Sequence, residues 1–314
     1  MRFDDVAVVG AGTIGVSWTA LFLAHGTHVR LFDVRPDIRD YVMANLEQIA
    51  PTLSALGLPT QTLTQRLEIS RSLESAVTGA QVVQENGPEI LELKHKLLAD
   101  IERATEPTTL LLSSTSALPA TQLAANLAHP ERLLVGHPFN PPHLVPLVEV
   151  VPGERTDPGA VVSAVDFYTA MGKHPIVVRK EIPGFVANRL QAALFRECVY
   201  LVSQGVVEVD GLDEIVTSSI GLRWAAEGPF LSFHLGGGPG GLAQFLQHLG
   251  PGLEELWKVL GTAQLDDQTV NLLATQAARA FGTRPMDEWE TERDRRTLGI
   301  LNVVSGTPAR PGIA

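Results

Sequence analysis

Among 314 residues there is a single cysteine, Cys198, which excludes an intrachain disulfide. Its place in the apolar stretch 195–202 reads as a packed thiol rather than a nucleophile. The nine histidines include no His-x-x-x-His pair, so no zinc cluster can be assembled from local spacing and no metal is expected. Long hydrophobic runs are missing as well. No stretch approaches the roughly 18 apolar residues of a membrane span, and no basic segment with a cleavage pattern flanks the first apolar run. A cytoplasmic protein is expected. Basic blocks are absent too, and the formal net charge of −11 argues against a grip on nucleic acid or an anionic membrane. The partner class left is a small molecule.

What is present is an α/β pattern. Short β-rich runs at 6–9, 29–32, 68–70, 81–84, 109–113, 133–135, 148–151 and 176–178 alternate with amphipathic segments. The later runs are no longer separated by long helices and are free to pair differently. From residue 183 the strands stop. Helices are predicted at 185–204, 210–220, 242–248, 253–260, 269–281 and 288–303, with a loose tail at 305–314. The expected organisation is a Rossmann-type doubly wound sheet over 1–182 followed by an all-helical domain over 183–314.

Gly10-Ala11-Gly12-Thr13-Ile14-Gly15 follows the first strand and opens a helix, the context that a dinucleotide-binding loop requires. In that reading Gly10 makes the tight turn, Gly12 lets the backbone approach a pyrophosphate, and Gly15 lets the helix pack on the strand. Asp33 ends the second strand, where a carboxylate accepts hydrogen bonds from a ribose diol and repels a 2'-phosphate. NAD is therefore expected rather than NADP, although the nearby Arg35 could accommodate that phosphate.

Two polar residues stand out in the later strands. His137 ends an apolar run and enters the proline-stiffened loop Gly136-His137-Pro138-Phe139-Asn140-Pro141-Pro142. An imidazole there suits proton exchange with a hydroxyl, or it only braces the loop. Glu149 lies inside a run of β-branched residues, where a carboxylate is costly to bury unless paired. A return strand could bring it to His137; otherwise it is an edge-strand glutamate facing water. Ser116 alone reads equally as a turn or helix cap, and Asn188 as a first-turn helix residue.

These residues resemble the L-3-hydroxyacyl-CoA dehydrogenase superfamily over nearly the whole chain. The carriers are the 10–15 loop, Ser113-Ser114-Thr115-Ser116, Gly136-His137-Pro138-Phe139-Asn140-Pro141, Leu147-Val148-Glu149-Val150-Val151 and Pro183-Gly184-Phe185-Val186-Ala187-Asn188-Arg189. The resemblance implies a catalytic set of His137, Glu149, Ser116 and Asn188. It implies NAD held by Gly10, Gly12, Thr13, Ile14, Gly15, Asp33 and Glu85, and a homodimer formed through the helical domain. Gln84-Glu85-Asn86-Gly87-Pro88-Glu89, the serine-rich 113–116 loop and Gly221-Leu222-Arg223-Trp224-Ala225 with His234-Leu235 are similar to the branch holding L-carnitine and L-gulonate 3-dehydrogenases. That branch implies oxidation of a small free L-3-hydroxy acid. Arg223 would then anchor the carboxylate, unless it is a surface arginine at a helix end. Phe139, Trp224, Phe230 and Phe233 would supply aromatic faces for a trimethylammonium group, unless they are core. Gly228-Pro229-Phe230 also resembles the acyl-CoA enzymes, so a CoA thioester is the alternative substrate. A non-catalytic, crystallin-like NAD-binding protein is the alternative of another class.

Overall fold

The computed structural model describes residues 3–305, and the chain divides into two compact units, Met1–Arg189 and Leu190–Ala314. In the first unit the apolar runs form strands β1 (Asp5–Val9), β2 (His28–Phe32), β3 (Leu67–Ile69), β4 (Val82–Glu85), β5 (Leu110–Ser113), β6 (Leu133–Pro138), β7 (Leu147–Pro152) and β8 (His174–Val177). Between them lie helices α1 (Thr13–Ala24), α2 (Ile38–Ala55), α3 (Leu73–Val77), α4 (Leu91–Ala104), α5 (Ala120–Leu123) and α6 (Pro158–Ala170). The strands join one sheet in the order β3-β2-β1-β4-β5-β6-β7-β8. Its neighbours are parallel except β6 and β7, which are antiparallel.

Alternation along each strand explains the two layers. Val6, Val8, Val29, Leu31, Val148 and Val150 face one core with Trp18, Phe22, Phe167 and Tyr168. Ala7, Val9, Val83, Leu111 and Val135 face the other, with Leu98 and Ile101 of α4. Side chains of successive strand residues point to opposite faces, so both faces are apolar only where helices cover both. The strand order reverses between β1 and β4, and ligands of doubly wound sheets bind beyond the strand ends at such a switch point.

Helix α7 (Ala187–Ser203) contains the division between the units. The second unit continues with α8 (Val209–Ser218), α9 (Ile220–Ala226), α10 (Pro229–Gly236), α11 (Gly241–Val259), α12 (Asp267–Phe281) and α13 (Met286–Ser305). Two predicted helices, 242–248 and 253–260, prove to be one helix, α11, running through Pro251. Leu242, Phe245, Leu246, Leu249, Leu253 and Leu256 keep one helical period across the proline, so the apolar pattern runs on through the position of the lost backbone donor. Gly221, expected to end a helix, lies in the first turn of α9, where a Cβ would come within 2.9 Å of the Val216 carbonyl oxygen. Cys198 is half-buried on α7, and burial followed by the charge of Asp213 pushes its thiol above the ordinary range. The expected loose tail beyond Ser305 lies outside the described residues.

Candidate active site

The dinucleotide loop leaves the C-terminal end of β1. Gly10 has φ +91°, a conformation that L side chains rarely adopt, and a Cβ there would sit 2.7 Å from the Asn86 carbonyl oxygen. At Gly15 a Cβ would lie 1.8 Å from the Gly10 carbonyl oxygen, so only glycine lets α1 begin this close to the strand. Around the Cβ position of Gly12, by contrast, the nearest 4 Å is empty. No side chain caps the first turn of α1, so its amide donors are available to an anion. The loop therefore fits a pyrophosphate. Asp33 Oδ2 accepts a hydrogen bond from Ala11 N at 2.7 Å and Oδ1 one from Arg35 N at 2.8 Å. Each oxygen keeps a lone pair for a diol.

Glu85, expected among the cofactor residues, has its carboxylate engaged by the protein itself. It is wholly buried, with Oε1 accepting from Gly87 N at 2.6 Å and Lys94 Nζ at 2.8 Å, and Oε2 from Ser113 Oγ at 2.5 Å. Its carboxylate ties the end of β4 to β5 and α4 rather than offering a face to a ligand. Lys94 went unnoticed in the sequence, although with Leu98 and Ile101 it occupies the buried face of α4. A lysine in an apolar period signals a paired charge. Glu89 was missed as well. Its Oε1 accepts from Thr115 Oγ1 at 2.5 Å and from Ser116 N and Ala117 N, each at 3.0 Å, which shapes the serine loop.

His137 and Glu149 are direct cross-strand partners on β6 and β7. The imidazole Nδ1 lies 2.8 Å from Glu149 Oε2, with His137 4% and Glu149 2% exposed. Glu149 Oε1 accepts from Val186 N at 2.9 Å and Ala187 N at 3.0 Å, where α7 starts. Burial would raise the carboxyl, but the hydrogen bonds from His137, Ala187 and Val186 outweigh it and hold it below the ordinary range. An ionised carboxylate only accepts, so Nδ1 carries a proton, and in the neutral ring Nε2 then presents a lone pair. The ring stands between Phe139, centroid 4.9 Å away, and Phe185 at 5.3 Å. Phe185, within the 183–189 motif, has φ +51°, a conformation rare for a bulky residue. Asn188 Nδ2 donates to the Ser116 carbonyl oxygen at 2.9 Å. Glu149 thus links the histidine to the segment bearing Asn188, and Asn188 links that segment to Ser116. A base with a fixed tautomer lies in the same unit as the dinucleotide loop, beside two polar groups, an arrangement suited to moving a hydroxyl proton.

The description of the 3-hydroxyacyl-CoA dehydrogenase NAD-binding domain matches residues 5–182, and that of its C-terminal domain residues 184–266. The chain belongs to this family. The L-carnitine dehydrogenase of Streptomyces coelicolor is 45% identical over 94% of this chain and 93% of the relative. That of Pseudomonas aeruginosa is 40% identical over 98% and 96%. Among solved structures, 5-formyl-3-hydroxy-2-methylpyridine 4-carboxylic acid 5-dehydrogenase, an NAD+ dependent dismutase, superposes with a TM-score of 0.79 at 30% identity, covering 97% of this chain and 99% of that one. The protein is an NAD-dependent oxidoreductase with the expected fold, a Rossmann-type domain followed by a helical one.

The remaining expected residues divide between the units. Phe139 is in the first, against His137. Arg223 and Trp224 lie on α9 and Phe230 on α10 of the second, all on the exposed side of those helices, with Trp224 38% and Phe230 73% exposed. Phe233 stacks on Phe245, their centroids 4.7 Å apart, and is committed to packing.

Proposed function

We propose that this dehydrogenase oxidises the 3-hydroxyl of a small free L-3-hydroxy acid, L-carnitine or a near analogue, to the 3-keto acid. The observation that carries the chemistry is the buried His137–Glu149 pair at 2.8 Å. The substrate class is supported by similarity to L-carnitine dehydrogenases along almost the full length of both chains. NAD, when bound, supplies the acceptor for the hydride leaving C3. His137 Nε2 takes the hydroxyl proton, and Glu149 stabilises the imidazolium and holds the ring. Ser116 and Asn188 orient the reacting oxygen. The keto acid is reduced by the same steps in reverse. Arg223 is assigned the substrate carboxylate, and Phe139, Trp224 and Phe230 the trimethylammonium end. Gly10, Gly12, Thr13, Ile14, Gly15 and Asp33 are assigned the cofactor.

The second unit carries exposed apolar side chains on α11, among them Leu246, Leu249, Leu256 and Trp257. Burying such a face against its own copy gives an isologous homodimer, which we include in the proposal. A cytoplasmic site of action fits a protein in which, among the described residues, no helix is long and apolar enough to cross a membrane.

The test is NADH formation with L-carnitine, L-gulonate, L-3-hydroxybutyrate and 3-hydroxybutyryl-CoA. The highest kcat/KM is expected with L-carnitine; a higher value with the CoA thioester would overturn the free-acid assignment. His137→Gln should lower kcat by about 10²–10⁴-fold while NAD+ affinity stays within about twofold. An equal loss of cofactor affinity would sink the role given to His137.

A further inference from the structure

The turn after β2 carries a feature that the reaction above does not use. Arg35 folds back so that its guanidinium carbon lies 3.8 Å from the ring centroid of Tyr41. Tyr41 is in the first turns of α2 and packs against the first core, so the ring is a fixed surface. Pro36 restricts the turn between them. The Arg35 side chain is still 38% exposed, and Asp37 Oδ1 is 3.8 Å from its Nε. Its own backbone N–H donates to Asp33 Oδ1, so the Arg35 main chain is anchored beside the carboxylate that suits the adenosine ribose.

A guanidinium near this position has two possible uses: its charge can bind a 2'-phosphate, or its plane can stack on a base. The charges decide between them. Asp33 and Asp37 flank Arg35 within two residues on either side, and Asp40 is in the first turn of α2. A dianionic phosphate would meet three carboxylates, Asp33, Asp37 and Asp40, against two arginines, Arg35 and Arg39. A purine carries no charge and needs only a flat, weakly hydrated partner next to the ribose. Tyr41 covers one side of the guanidinium, and the side chain as a whole keeps 38% of its surface exposed.

We infer that Arg35, backed by Tyr41, is the stacking platform for the adenine of NAD. Tyr41, Arg35 and the base form three layers, and Asp37 holds the middle one in place. Arg35 thereby works with Asp33 in favour of NAD instead of opposing it.

Calorimetric titration of the full-length protein with NAD+, ADP-ribose, nicotinamide mononucleotide, AMP and 2',5'-ADP tests this without turnover. Arg35→Ala and Arg35→Lys should each weaken NAD+ and ADP-ribose about tenfold, because lysine restores the charge but not the plane. Binding of nicotinamide mononucleotide should be unchanged in both. Tyr41→Leu should give a smaller loss of the same pattern. Full retention of NAD+ affinity in Arg35→Ala, or full rescue by Arg35→Lys, would overturn the stacking role. So would wild-type protein that binds 2',5'-ADP more tightly than AMP and loses that preference in Arg35→Ala. Neither Arg35 nor Tyr41 is fully buried, and an unchanged Tm separates a binding loss from misfolding.

Discussion

Glu149 shows what one side chain does when both its oxygens are engaged. An unpaired carboxylate at this depth would take up a proton; hydrogen bonds from His137, Val186 and Ala187 keep it charged instead. Replacement by glutamine is nearly isosteric, yet an amide has one accepting oxygen where the site presents donors to both. Glu149→Gln should therefore lower kcat by about 10²–10⁴-fold, by analogy with neutralised carboxylates behind catalytic histidines. It should also lower Tm, because the NH2 group is left facing donors. The linkage has a definite sign. The carboxyl is held below its unfolded value, so its stabilising effect is full above the unfolded pKa and is lost as pH falls through the folded one. Acid denaturation midpoints of wild type and Glu149→Gln would check this, since the variant should lose less stability on acidification; equal midpoint shifts would refute it.

At the scale of elements, the β6–β7 hairpin brings His137 and Glu149 together. Its connection, 139–146, is too short for a crossover helix, so the antiparallel return was legible in the sequence as a possibility. The register opposing His137 to Glu149 was not, since a one-residue slip would send Glu149 to the other face. The glycine loop, the acid after β2 and the eight strands were readable because each rests on local pattern: apolar runs, turn residues, a helix start. Glu89, Lys94 and Phe185 escaped because their roles arise from contacts with distant strands, although Lys94 left a trace in the period of α4. Gly136 carries a similar hidden constraint. A Cβ there would lie 1.8 Å from the Tyr168 hydroxyl oxygen, and that hydroxyl donates to Gln84 Oε1 at 2.8 Å. Gln84 Nε2 in turn donates to Ser114 Oγ at 2.8 Å, and Trp18 Nε1 donates to the same oxygen at 3.1 Å. Burial raises the Tyr168 phenol, which stays a neutral donor. Gly136→Ala should displace Tyr168 and destabilise the protein by roughly 1–3 kcal/mol. Chemical denaturation would measure it; a loss no larger than that of a surface glycine substitution would show that the tyrosine moves freely.

On the scale of the molecule, the acidic chain buries a lysine with no carboxylate beside it among the described residues. Lys173 Nζ donates to the Pro142 carbonyl oxygen at 2.5 Å and to that of Val145, both in the β6–β7 connection, and lies 5.5 Å from the Trp18 ring centroid. The connection is also held to α1 by His143 N donating to Ser17 Oγ at 2.9 Å. The β6–β7 hairpin and α1 are therefore braced together, with Lys173 among the braces. Burial pushes the ammonium down from 10.5 to about 7. Between about pH 7 and its unfolded value the native state then binds fewer protons at this site than the unfolded chain does. Stability from this group consequently rises with pH across that window, opposite to the usual behaviour of a lysine that gains a partner. His25, lowered by burial and then by the charge of Lys173, adds a change of the same sign nearer neutrality. Lys173→Met removes the titration while keeping an apolar chain of similar length. Comparing the two proteins by urea unfolding at pH 6.5 and pH 9 separates this linkage from any constant cost of leaving the two carbonyls unpaired. The wild type should gain stability over that interval, and the variant should lose most of the gain; the same gain in both would place the pH dependence elsewhere in the fold.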